Sequence, residues 1–286
     1  MKANGGYYES SLALHPPLEG EGRREAPGWG ESGDSVSPHP AAFARSAHFG
    51  VDPPLPGEGG SQPGGVTVAG VALVLDPAGA LYWPEEGALI VSDLHLEKGS
   101  SFAARGVLLP PYDTAATLAR LACLIARYAP RLVIALGDSF HDGEGPARVA
   151  DTDRATLAAL QRGRDWLWVA GNHDPAPARG VGGSGAAMLA LGTLVFRHEP
   201  TADAYEGEVA GHLHPVARIA VRGRAISRRC FASDGRRLVM PAFGAYAGGL
   251  NVRHRAFAPL LGSAFTAHLL GERRLYRFAA ARCLAD

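Results

Sequence analysis

Five short stretches carry the residues best able to do chemistry: Asp93 and His95 in SDLH, Asp138 in LGD, Asn172 and His173 in GNHD, His198 in FRHEP, and His212 and His214 in GHLH. They offer carboxylate, imidazole and amide donors and no thiolate, a set that suits Mn²⁺, Fe²⁺ or Zn²⁺ in a hydrolytic site. Two such cations about 3.5–4 Å apart can activate water and clamp a phosphoryl group, and a carboxylate such as Asp138 can bridge them. A histidine at the rim that binds no metal, such as His173, could stabilise the transition state or protonate the leaving oxygen. Each stretch alone also reads as a turn, since Gly, Asn and Asp are ordinary turn formers. Turn chemistry does not explain five histidines at such positions.

What precedes each stretch is an apolar run: GALIVSD (87–93), RLVIALGD (131–138), DWLWVAGNHD (165–174), TLVFRH and EGEVAGH. These read as buried strands. Residues 113–128 carry Leu118, Leu121, Cys123, Leu124, Ile125 and Tyr128 at helical spacing, with Asp113 or Thr114 as N-cap. TDRATLAALQ (152–161) predicts a second helix. The alternation predicts an α/β domain with a substantially parallel central sheet. VTVAGVALVLDP and ALYWP add short strands ahead of it. ARIAVRG, RRCFAS and RRLVMPAF belong to a second, sheet-rich half that packs with the first as an α/β sandwich. In open α/β sheets ligands bind where strands end, where all five donor stretches fall. The x between donors in DLH and HLH puts each pair on one side of an extended backbone.

Residues 1–65 differ in texture. They are rich in Gly, Pro, Ser and Glu, contain the near-repeat PPLEGEG and PPLPGEG, and hold four basic against eight acidic side chains. Such a segment predicts a disordered tail, with the domain proper spanning 66–286. The chain is neutral overall, yet residues 216–286 hold thirteen arginines against Asp234, Glu272 and Asp286. That suits a polyanionic partner or, equally, a solvated arginine-rich surface. Three scattered cysteines fit neither a disulfide framework nor a thiolate metal site. With no apolar run of membrane-spanning length and no apolar signal core, a cytoplasmic, membrane-free protein is expected.

The ordered set Asp93-x-His95, Gly137-Asp138, Gly171-Asn172-His173-Asp174, His198 and Gly211-His212-x-His214 resembles the calcineurin-like metallophosphoesterases over roughly residues 88–215. The resemblance implies an α/β sandwich of two mixed sheets flanked by helices, and a dinuclear site. Asp93, His95 and His214 would hold one ion, with Asp138 bridging. Asn172, His198 and His212 would hold the other, and His173 would be the catalytic acid. Two divalent ions, Mn²⁺ foremost, are implied. Many members place an acid three residues after GD, where this chain has His141 followed by Asp142. Residues 75–114 and LGDSFHD (136–142) also resemble a bacterial branch, the ligase-associated DNA damage response endonucleases (PdeM). That branch implies DNA as substrate, with a DNA ligase and a helicase as repair partners.

Around this core, Lys98, Arg105 and His141 are candidates for substrate binding, although Glu97–Ser101 also reads as a polar connecting loop. Phe102, Phe140 and Tyr112 could stack on a base or simply pack. Two other readings stand beside DNA hydrolysis. One is a phosphodiesterase or pyrophosphatase of a small nucleotide; the other is a metal-stabilised interaction module of a repair complex.

Overall fold

Apolar runs of four or five residues, bounded by Gly, Pro and Asp, become the strands of two packed sheets in the computed structural model, which describes residues 63–175, 180–203 and 206–286. The expected tail, residues 1–65, lies outside the described residues up to 62, and the first strand already begins at Gly64.

The first sheet runs in chain order: β1 (Gly64–Val68), β2 (Val71–Leu75), β3 (Leu81–Trp83), β4 (Ala88–Ser92), β5 (Leu132–Leu136), β6 (Asp165–Val169) and β7 (Ser184–Ala186). β1 to β4 pair antiparallel and β4 to β7 parallel. β4 is buried at all five positions because both its faces are covered. Leu89 and Val91 face helix Asp113–Tyr128 through Leu118, Leu121 and Leu124. Ala88 and Ile90 face the second sheet through Phe196, Val209 and Phe231.

The second sheet comprises β8 (Leu189–Leu191), β9 (Leu194–Arg197), β10 (Glu208–Ala210), β11 (Pro215–Val221), β12 (Arg224–Ser233), β13 (Arg237–Val239), β14 (Leu250–Asn251), β15 (Thr266–Leu270) and β16 (Leu275–Ala279). β9 and β10 are parallel, as are β10 and β13, while β11–β12 and β15–β16 are antiparallel hairpins. The fold is thus an α/β sandwich of two mixed sheets with flanking helices. Among the described residues no helix is long and apolar enough to cross a membrane.

Three local expectations are corrected. Helix Asp113–Tyr128 is not capped by Asp113 or Thr114; its N-cap is Tyr112. The two side chains instead secure the preceding segment: Gly99 N donates to Asp113 Oδ2 at 3.0 Å and Glu97 N to Thr114 Oγ1 at 2.9 Å. Residues Lys98–Ala104 form a helix rather than a loop. Cys123 is exposed, not on the apolar face.

Candidate metal centre

The five donor stretches leave β4, β5, β6, β9 and β10 at their carboxyl ends and meet at one edge of the sandwich. The geometry of convergence differs from the alternation expected of extended chain. Asp93, His95, Asp138, His212 and His214 all have positive φ, between 43° and 66°, five of the nine non-glycine residues so placed among those described. Such backbone costs energy for residues with a Cβ and concentrates at functional sites. After β4, β5 and β10 this left-handed turn, not strand alternation, aims the side chains together.

Glycine makes the approach possible. A Cβ at Gly211 would overlap the Ser92 hydroxyl and the Asp93 carboxylate, and one at Gly171 would overlap Asp138. Asp174 braces the same turns: its carboxylate accepts from Ser139 N at 2.8 Å, Phe140 N at 3.1 Å and Gly171 N at 3.2 Å. Burial pushes the Asp174 carboxyl up to about 6.

Two donor clusters result. In one, donor atoms of Asp93, His95 and His214 lie within 4.8 Å of one another; in the other, those of Asp93, Asp138 and His198 do. His214 Nε2 is 3.1 Å from Asp93 Oδ1, and 3.3 Å from His95 Nε2. Asp138 spans both groups, 3.9 Å from His95 Nε2 and 3.3 Å from His198 Nε2. Asn172 Oδ1 sits 2.9 Å from His198 Nε2 and 3.0 Å from His212 Nδ1, which itself is 3.2 Å from His198 Nε2. Asp93, His95, Asp138 and His198 are buried, whereas Asn172 and His173 are exposed.

These residues fit divalent cations. Around His198 Nε2, three lone-pair atoms lie within 3.3 Å, more acceptors than its single N–H can serve. The carboxylate, imidazole and amide donors are those of an Mn²⁺, Fe²⁺ or Zn²⁺ site. Electrostatics agree. Burial opposes charge on His198, but its hydrogen bond to Asp138 and the field of Asp93 hold its pKa up at about 9. Burial and the neighbouring His214 hold His95 well below its ordinary value. Asp138 is kept ionised despite burial by His198 and His95.

His173 stands at the rim. Its backbone N donates to Asp138 Oδ1 at 2.9 Å, and its Nδ1 donates to the His141 carbonyl at 2.8 Å. The carbonyl can only accept, so Nε2 is the nitrogen left to face the cluster, 3.9 Å from Asp138 Oδ2. His141, standing where an acid was looked for, thus contributes its backbone, while its ring stacks on His173 at 5.2 Å and meets Phe102 at 5.5 Å. Burial, with Lys98 nearby, lowers its pKa to about 4. Asp142 turns away from the donors to a two-oxygen pairing with Arg148.

The other candidates separate. Lys98 Nζ donates to the Tyr246 carbonyl at 3.1 Å. Arg105 is exposed on the end of helix Lys98–Ala104 and holds Ser101 O and Oγ. Phe140, expected at the mouth, is wholly buried in the core against Trp168. Phe102 lies beside His141, and Tyr112 is 69% exposed. Sequence reading missed Arg148 and Arg120. Arg120 donates to Phe243 O at 2.6 Å, over the loop whose Phe243 N and Gly244 N bond to Ser92 O and Asp93 O. Neither had a motif to reveal it.

Comparison with known proteins agrees with this layout. Residues 88–224 match the calcineurin-like phosphoesterase family. Among solved structures, the Pseudomonas putida nuclease MPE is similar at 27% identity, over 75% of this chain and all of that one, with a TM-score of 0.59. The Escherichia coli phosphoesterase Yfce matches 68% of this chain and 98% of its own at 15% identity, with a TM-score of 0.31, too loose a superposition to inform the chemistry. Comparison with curated protein sequences gives no match.

Proposed function

Because this chain belongs to the calcineurin-like phosphoesterases, we propose that it is a two-cation phosphodiesterase that cuts DNA, with Mn²⁺ as the working metal. The observation that carries the reading is the pair of donor clusters sharing Asp93, with Asp138 spanning them and His173 at their rim. Asp93, His95 and His214 would hold one ion, Asn172, His198 and His212 the other, and Asp138 would bridge. Cations there supply Lewis-acid activation of water and charge neutralisation at the phosphoryl group.

The chain's own side chains do the rest. The His141 carbonyl fixes the His173 ring through Nδ1, so that in the imidazolium form the Nε2 proton points at the cluster. From there it can pass to the departing ester oxygen. Asp138 holds the His173 backbone in the same turn, which couples the acid's position to the metal ligands.

DNA as substrate is supported by the likeness to a nuclease and by the arginines of residues 216–286. Not all of those arginines serve it. Arg237 is buried against Glu208, and Arg229 is bound to the Ala242 and Gly244 carbonyls. Arg222, Arg224, Arg253, Arg255, Arg273 and Arg277 are exposed. A place in DNA repair, with a ligase and a helicase as partners in the cytoplasm, rests on the branch resemblance of residues 75–114 and 136–142.

The test is Mn²⁺-dependent hydrolysis of bis-p-nitrophenyl phosphate beside labelled single-stranded, gapped and flapped DNA. The expected result is cleavage of both substrate types, falling at least ~100-fold in Asp138→Asn and His173→Ala, the scale of a lost general acid. Turnover of the small diester without DNA cleavage would move the substrate to a small nucleotide. No metal-dependent turnover would leave only the interaction module.

A further inference from the structure

A cavity of about 350 Å³ opens beside the metal centre and shares His173 with it. Its wall carries Arg105 and Arg148, together with Ser101, His141 and Asp142. Both guanidinium groups are held in place by the protein yet keep one end to offer. Arg105 donates through Nε and Nη2 to Ser101, and Arg148 through Nε to Ser100 and through Nη2 to Asp142. The Nη1 group of each has no hydrogen-bond partner among the described residues. Asp142 offsets only one of the two charges, and no carboxylate lies within ion-pair reach of Arg105 among the described residues. His141 adds a buried Nδ1 without a hydrogen-bond partner among the described residues. Two fixed guanidinium forks beside an imidazole describe a site for a tetrahedral oxyanion.

The position narrows which oxyanion. The cavity lies one ring's breadth from the donors: His95 to His141 is 5.6 Å between ring centres, and His141 to Phe102 is 5.5 Å. A phosphoryl group at the metal centre cannot also fill the cavity, but its neighbour along a strand can. Building on the phosphodiesterase reading, we propose that this cavity binds the phosphate adjacent to the scissile one. The enzyme would then favour a diester within an oligonucleotide over an isolated diester, with Arg105 and Arg148 setting that preference.

Thymidylyl-thymidine, alone or carrying a 5′- or a 3′-terminal phosphate, offers one scissile diester with and without a flanking phosphate. With the Mn²⁺-loaded full-length protein, one of the two phosphorylated forms is expected to be cut at its internucleotide diester with kcat/KM at least ten-fold above the plain dimer, mainly through KM. Arg105→Ala and Arg148→Ala are each expected to reduce that ratio to two-fold or less, and Arg105→Lys to restore part of it. Arg105 is exposed, so its variants keep the test clear of folding defects that Arg148→Ala could bring. Equal rates on all three dimers would overturn the proposal, as would a preference that survives in both variants. So would release of inorganic phosphate in place of dimer cleavage, which would mean that the terminal group enters the metal centre. If no dimer is cut but bis-p-nitrophenyl phosphate is, the subsite falls while the phosphodiesterase reading stands. If neither is hydrolysed, both fall together.

Discussion

At His198, burial and two carboxylates pull in opposite directions, and the carboxylates win. The ring is only 5% exposed, yet its pKa is held at about 9 by Asp138 and Asp93. The imidazolium thus balances the two carboxylates that surround it. Its folded pKa lies above the ordinary value of 6.5, so its stabilising contribution is complete below pH 6.5 and is lost as pH rises through 9. A cation bound at His198, as proposed, would displace that proton. Calorimetry of Mn²⁺ binding at pH 7.5, in two buffers of different ionisation enthalpy, is expected to show about one proton released per chain. It should also show apparent affinity falling about ten-fold per pH unit below 9 while this site dominates. Binding with no proton release would mean that His198 is not a ligand. Sequence could name His198, because it ends an apolar run in order with the other donors. It could not give the charge, which comes from two carboxylates brought to it by β4 and β5.

At the scale of strands and turns, the ends of β4, β5, β6, β9 and β10 pass one another closely at Gly137, Gly171 and Gly211. Gly211 precedes His212 and faces the Ser92 and Asp93 side chains with no room for a methyl group. Gly211→Ala is expected to cost about 1–3 kcal/mol, as overpacking of a close contact does. It should also weaken Mn²⁺ binding, because relief of the overlap moves Asp93. Gly65→Ala on β1, where a Cβ would meet nothing within 4 Å, is the comparison and should leave both unchanged. Equal melting temperatures and metal affinities for the two variants would refute this packing account. β4, β5, β6 and helix Asp113–Tyr128 were legible because buried parallel strands are continuous apolar runs and the helix has an apolar stripe. The helix Lys98–Ala104 was not, since KGSSFAA has no such stripe and is held by Asp113 and by Arg105 bonding back to Ser101. The left-handed backbone at five donors was equally hidden: Asp and His at these positions reveal no φ until the neighbouring strands confine them.

For the molecule as a whole, the two sheets bring their donors to one edge of the sandwich. The first supplies Asp93, His95, Asp138 and Asn172 from strands in chain order, and the second supplies His198, His212 and His214 from β9 and β10. The ordered donor motifs made this union readable over a span of more than a hundred residues, as did the mixed-sheet architecture that the resemblance implied. Contacts made by lone side chains were not readable: Phe140 turned inward to the core, Arg148 came to the rim at the end of the short helix Gly145–Arg148, and the His141 carbonyl by loop geometry. If both sheets build one two-cation centre, as proposed, it must fill with two ions before it hydrolyses phosphodiesters. Titration of metal-free protein with Mn²⁺, followed by bis-p-nitrophenyl phosphate hydrolysis, reads this out. Activity is expected to rise to a plateau at two equivalents per chain, and an Asp138→Asn variant to stay inactive at any equivalence. A plateau at one equivalent, or hydrolysis independent of Mn²⁺, would contradict the two-cation centre.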